Sequence, residues 1–282
     1  MAQFQIRNVC PALGAEVVGL KGGAELDEEA RRFLRSVFDE RGLLLFRDLD
    51  IDREYQTYLA DLLIGYDRPA DGGGQQPFFV SNKEPGGYAP FGRLLFHSDM
   101  MWHEDPFQVL SLYAVDVVPP AVPTAFASTT YAWNTLPREL RARVEGRHAV
   151  HVTGQQRRGG DDDLLEPVRE HERSRTTLIG HPHPRTGRTM LYVSQMNTRE
   201  IVELPHEKSE ELLEALFAHL YDPANLWEHE WRNGDLALWD NLAIQHARSV
   251  VHKEGPVRTL RKVISPIPSL AGIEVPRFSA VS

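Results

Sequence analysis

The spacing of apolar and polar positions sorts the chain into two textures. In the first quarter, "DEEARRFLRSVFDERG" brings Ala30, Phe33, Leu34, Val37 and Phe38 to one side of a 3.6-residue repeat. Asp27 is placed to cap the start of this helix and Gly42 to stop it. The next segment, "LLLFRDL", is a short apolar run edged by charge, as expected of a buried strand. "DREYQTYLADLLIG" returns to the helical repeat through Tyr55, Tyr58, Leu59, Leu62 and Leu63.

From Phe78 onward the pattern becomes short strand-like runs broken by Gly, Pro and Asn: "PFFVSN", "RLLFHSD", "FQVLSLYAVDVV", "TAFAST", "TLIGHP", "TMLYVS", "DLALWDN" and "LRKVISPI". Many short strands point to a sandwich or barrel. "TTLIGHPHPRTGRTMLYVS" predicts a hairpin with its tip at Pro184–Gly187, since proline presets a turn and glycine accepts positive φ. His181 and His183 then fall at an exposed tip. One late helix, "SEELLEALFAHLYDP", aligns Leu212, Leu213, Leu216, Phe217 and Leu220 and ends before Pro223. The segment Gly154–Arg175 has charge clusters and glycine pairs but no period, and reads as a mobile loop, either a solvated excursion or a lid over a pocket.

Composition narrows the class. The 282 residues are 41% hydrophobic and 25% charged, enough apolar surface for a sizeable core and consistent with a single domain spanning 1–282. A net charge of −9 argues against nucleic acid or an anionic membrane as partner. Cys10 is the only cysteine, which excludes an internal disulfide and fits a reducing compartment. The opening "MAQFQIRNVCPALGAEV" lacks the apolar core of a signal peptide, and no run is long enough to span a bilayer. A cytoplasmic protein is expected, and a homo-oligomer is compatible with the sequence.

The candidate chemistry lies in "FHSDMMWHEDP". In an extended strand His97 and Asp99 share a face, because side chains alternate with period two. A third ligand is found in "GDLALWDNLAIQHARSV", where a polar corner leads to His246. Two histidines and one carboxylate on one face of an octahedron leave three open positions, the pattern of non-haem iron oxygenases and not of closed zinc sites. His-x-Asp alone is a weak signal among 12 histidines.

The order of features from "ERGLLLFRDL" through His97-Ser98-Asp99, "VVPPAVPTAFASTTYAWNTLP", "LIGHPHPRTGRTMLYVS", "WRNGDLALWDNLAIQHARS" and "GPVRTLRKVISP" resembles the 2-oxoglutarate-dependent dioxygenases of the taurine dioxygenase and chlorophenoxyacetate dioxygenase type. The resemblance covers most of the chain, and WDN-x4-H followed by the arginine segment is its most specific part. It implies a mainly β fold with flanking helices, a double-stranded β-helix or jelly roll. It implies that His97, Asp99 and His246 hold Fe(II) and that Arg258 grips the far carboxylate of 2-oxoglutarate, with Thr124 assisting. A guanidinium suits that task, offering a charged planar fork to a carboxylate. Thr124 departs in context, following Ala121-Val122-Pro123 where the family shows Gly-Gly-Asp. Trp239, Asp240 and Asn241 are expected to position His246.

The implied reaction consumes dioxygen, couples decarboxylation of 2-oxoglutarate to succinate with oxidation of a substrate C–H bond, and has hydroxylation as its expected outcome. Asp99 argues against halogenation, since such halogenases leave that position open to halide. Family members often hold an anionic substrate with a second arginine at the position of Lys262, where lysine keeps the charge but not the fork. Its neighbour Arg261 should face away. Met100, Met101 and Trp102, with Phe78, Tyr88 and Phe91, are candidates to line an apolar pocket, with Asn82 and Gln76 as polar contacts. The expected substrate is a small or medium organic acid, amine or amino-acid-like molecule with an apolar portion. Two other readings stay open: a zinc-dependent hydrolase and a non-catalytic ligand-binding protein on the same scaffold.

Overall fold

Strands buried on both faces set the architecture. The structure, a computed structural model, describes residues 4–68, 78–87, 89–154 and 173–266. A seven-stranded sheet runs in the order β1 (Gln5–Asn8), β2 (Ala15–Val18), β3 (Leu43–Phe46), β14 (Leu236–Asp240), β6 (Val109–Val117), β16 (Arg258–Ser265), β4 (Phe78–Ser81). A four-stranded sheet has the order β13 (Leu226–His229), β7 (Thr124–Ser128), β15 (Ile244–Val251), β5 (Gly92–His97). Every pairing in these two sheets is antiparallel except β2 with β3.

Period-two alternation assigns each face. In β3, Leu43 and Leu45 enter the core that also takes Phe126 of the four-stranded sheet, while Leu44 and Phe46 pack on the helical side. β14 divides in the same way, Ala237 and Trp239 inward, Leu236 and Leu238 outward. That is why these strands read as unbroken apolar runs.

α1 (Glu28–Arg41) and α2 (Arg53–Ile64) cover the outer face of the large sheet. Asp27 caps the first by accepting from the Ala30 N–H at 2.8 Å, and Gly42 ends it at φ 71°. α2 carries Gln56 into the interior, where its amide donates to Ser111 Oγ and accepts from Arg261 Nε. Arg261 therefore faces the helix layer, as period two requires.

The outer face of the smaller sheet is covered by α3 (Thr129–Thr135), α4 (Arg138–Val144) and α5 (His206–Leu220). α5 buries the five expected apolar residues but starts at His206, earlier than its pattern shows, because Ser209 is inside the helix with its Oγ accepting from the Ile201 N–H. A three-stranded sheet of β12 (Thr198–Ile201), β8 (His148–Val152) and β9 (Ser174–Leu178) completes this side with the hairpin β10 (Gly180–Pro182) and β11 (Thr189–Leu191).

Pro184 and Gly187 at the hairpin tip are exposed as expected, but His183 is not, which corrects its reading as a surface residue. That side chain is 2% exposed; its Nδ1 accepts from the Arg185 and Thr186 N–H groups and its Nε2 meets Asp240. Arg188 caps the end of α1 by donating to the Asp39 and Glu40 carbonyls. The tip thus docks on α1 and the end of β14. Most of Gly154–Arg175 lies outside the described residues, as do Gln76 and Tyr88.

Candidate metal centre

Strand register brings the two histidines together. β5 ends at His97, and β15 places His246 directly opposite it. The ring centroids are 4.2 Å apart, and the edge of His246 packs on Trp239 at 5.0 Å. His97 Nδ1 lies 2.8 Å from the Leu95 carbonyl, so a neutral ring donates there and turns the lone pair of Nε2 inward.

Asp99 arrives by a different route from the one its spacing suggests. β5 has ended and Asp99 sits in a turn, so strand alternation does not aim its side chain. The Asn241 amide does the positioning: Oδ1 accepts from the Asp99 N–H at 2.9 Å, and Nδ2 donates to the Asp99 and Phe107 carbonyls at 2.9 and 3.1 Å. Of the WDN corner, Trp239 supports His246 and Asn241 supports Asp99. Asp240 instead receives His183 and Arg185 and caps the turn through the Leu242 and Ala243 N–H groups.

Asp99 Oδ1 is 3.1 Å from His97 Nε2 and 3.9 Å from His246 Nε2, and a ligand atom from each residue lies within 4.8 Å of the others. Electron-rich atoms converging this closely fit a cation among them. Burial alone would push the Asp99 carboxyl up, but the adjacent Lys262 ammonium holds it well below the usual carboxylate range. Burial, with His97 next, pushes His246 well below the ordinary imidazole value. Both groups are held in the forms that ligate metal: carboxylate and neutral imidazole.

A second cluster adjoins this one. Arg258, 3% exposed, donates from Nη2 to Thr124 Oγ1 at 3.0 Å and from Nε to the Val122 carbonyl at 2.9 Å. Among the described residues it has no carboxylate partner. Trp231 Nε1 donates to the same Thr124 oxygen at 3.0 Å. With both lone pairs accepting, the Thr124 hydroxyl has its proton to give. Burial, then Arg248, pushes the Arg258 guanidinium down to about 9. A desolvated, uncompensated cation beside a hydroxyl donor is a receptor for an anion.

The remaining candidates separate. Lys262 reaches the metal triad, its Nζ hydrogen-bonded to Asp99 Oδ2. Asn82 is tied to the backbone, donating to the Pro256 and His252 carbonyls and accepting from the Arg258 N–H, which makes it a support for Arg258. Met100, at φ 59°, packs beside the inter-sheet core; Trp102 is buried, its edge toward His103; Met101 is fully buried with Met190 and Tyr192. Sequence reasoning missed Trp231 and the bracing of Asp99 by Asn241, because neither has a local spacing that ties it to its partner.

Comparison with known proteins agrees with this geometry. The family described as taurine catabolism dioxygenase TauD, TfdA matches residues 5–264. The chain is 30% identical over 188 residues to a pentalenolactone F synthase of Streptomyces avermitilis, covering 60% of this chain and 60% of that protein. It is 28% identical over 264 residues to an (S)-phenoxypropionate/alpha-ketoglutarate dioxygenase of Sphingobium herbicidovorans, covering 86% and 88%. A solved taurine dioxygenase from Burkholderia xenovorans superposes with a TM-score of 0.74 over 93% of this chain and 90% of that one at 22% identity, a likeness of fold that supports the jelly roll. The chain belongs to the TauD/TfdA family and is an Fe(II)- and 2-oxoglutarate-dependent dioxygenase.

Proposed function

We propose that the protein acts as a single catalytic unit in the cytoplasm. It couples decarboxylation of 2-oxoglutarate to succinate with hydroxylation of a C–H bond in a small or medium organic substrate. The observation that carries the cosubstrate reading is Arg258, a buried guanidinium without a carboxylate partner among the described residues, whose neighbour Thr124 has a proton to donate. Together they suit one end of a dicarboxylate whose other end reaches the metal.

Bound Fe(II) supplies the redox chemistry by which dioxygen is reduced at the expense of 2-oxoglutarate. The protein's part is arrangement. His97, Asp99 and His246 would hold the ion while leaving positions for cosubstrate and dioxygen. Arg258 and Thr124 orient the cosubstrate, and the apolar surround of Met100, Phe107 and Trp239 limits water. A zinc hydrolase has no need of the Arg258 receptor, and the dioxygenase relatives do not favour that reading or the non-catalytic one.

For the substrate, the relatives named for phenoxypropionate and 2,4-dichlorophenoxyacetate suggest the chemistry: a polar head and an apolar body. An organic acid, amine or amino-acid-like molecule of that form is the class to screen.

The test is an anaerobic titration of metal-free protein with Fe(II) and then 2-oxoglutarate, following the weak visible charge-transfer band of the chelate. A band saturating at one equivalent is expected. Iron binding with no band would overturn the proposal.

A further inference from the structure

The cation at position 262 is engaged at the metal centre itself. Lys262 lies on β16 between β4 and β6, in register with Phe78 and Leu112. Its Nζ lies 5.9 Å from the centre of the Phe107 ring and bonds Asp99 Oδ2. The side chains of the pair are 14% and 17% exposed, so little water competes for the contact.

The two oxygens of Asp99 consequently have different surroundings. Oδ1 faces His97 Nε2 at 3.1 Å and His246 Nε2 at 3.9 Å. Oδ2 turns to the ammonium. The Asn241 amide holds the Asp99 backbone, so the residue is fixed at its main chain by Asn241 and at Oδ2 by Lys262.

We propose that Lys262 is a positioning residue of the metal centre. By holding Oδ2 it makes Asp99 a one-oxygen ligand and keeps open the position that a two-oxygen carboxylate would occupy. The inference rests on the reading of the site as a 2-oxoglutarate centre, where that position is needed for the chelate. It also removes Lys262 from the substrate contacts: a substrate anion, if present, is held elsewhere.

The sign of the effect sets this role apart. An ammonium beside a metal ligand repels a divalent ion, so the lysine opposes metal binding while favouring an open coordination position. A lysine that only braced the fold would aid metal binding, and one that only held substrate would leave metal and cosubstrate unaffected.

Lys262→Met retains much of the stem without the charge, and Lys262→Arg retains the charge. Each variant, freed of metal, is titrated anaerobically with Fe(II) and then with 2-oxoglutarate, beside wild type. Lys262→Met is expected to bind Fe(II) as tightly as wild type or more tightly. It should need about ten-fold more 2-oxoglutarate for half of the visible band, a loss of about 1.4 kcal/mol in cosubstrate binding. Lys262→Arg should stay close to wild type in both. Loss of Fe(II) affinity in Lys262→Met would overturn the proposal, as would unchanged 2-oxoglutarate binding. Absence of the band in wild type would refute the cosubstrate reading and this inference with it, and is visible before any variant is made.

Discussion

Arg258 has lost its water and gained no carboxylate partner among the described residues. Even pushed down to about 9 it stays charged at neutral pH, held by the Thr124 hydroxyl and the Val122 carbonyl. Arg258→Ala should raise the half-saturating 2-oxoglutarate concentration about 30-fold or more, from the 2–5 kcal/mol lost when one partner of a buried charge pair is truncated. Iron affinity should be unchanged. Asp99→Ala should instead abolish iron binding, and equal iron loss in both would undo the division of roles. Away from the site, His151 is fully buried between Thr198 and Thr177; burial, then Arg175 and His181, pushes it down to about 3. Between pH 6.5 and 3 the unfolded chain takes up a proton that the folded chain refuses, so stability falls as pH falls, by up to about 1.4 kcal/mol per pH unit. The drop in melting temperature from pH 7.5 to 5 should therefore narrow in His151→Gln. An unchanged or wider drop would place the acid sensitivity elsewhere.

Among elements, the corner after β14 matters most because it joins strands distant in the chain. Asn241 braces Asp99 from 142 residues away, and all its side-chain bonds are to backbone. Asn241→Ala leaves the Asp99 N–H and the Asp99 and Phe107 carbonyls without those bonds, costing about 2–4 kcal/mol of stability. Iron affinity should fall about 10- to 100-fold, as when other supports of a metal ligand are removed. Melting curves and iron titration check both, and undiminished affinity would show that the turn holds Asp99 unaided. Helix α1 was legible to its ends because cap, apolar stripe and terminal glycine are neighbours in sequence, and α2 and α5 were legible through their apolar stripes. The hairpin was legible too, but the burial of His183 and the docking of Arg188 were not, since their partners lie on β14 and α1.

In the whole molecule, the inter-sheet core of Leu43, Leu110, Phe126 and Trp239 and the two helix-covered cores do not rely on the metal residues. Removing metal should leave a folded, cooperatively melting protein. Fe(II) at about 100 times its dissociation constant should then add about 2.7 kcal/mol by mass action. Circular dichroism and melting of the metal-free and loaded forms test this, and loss of secondary structure without metal would refute it. Among the described residues no helix is long and apolar enough to cross a membrane.

The sequence by itself determined what depends on neighbours: the apolar stripes of α1, α2 and α5, the ends of α1, apolar runs destined for burial, and a histidine and carboxylate two residues apart. It also supplied His246 and Arg258 through their order and resemblance. Only the tertiary structure decided that His246 stands opposite His97, that Asn241 aims Asp99, that Trp231 completes the Thr124 site and that Lys262, 163 residues from Asp99, binds the metal ligand. The physical reason is that local spacing encodes which face a side chain takes, whereas strand pairing decides what that face meets.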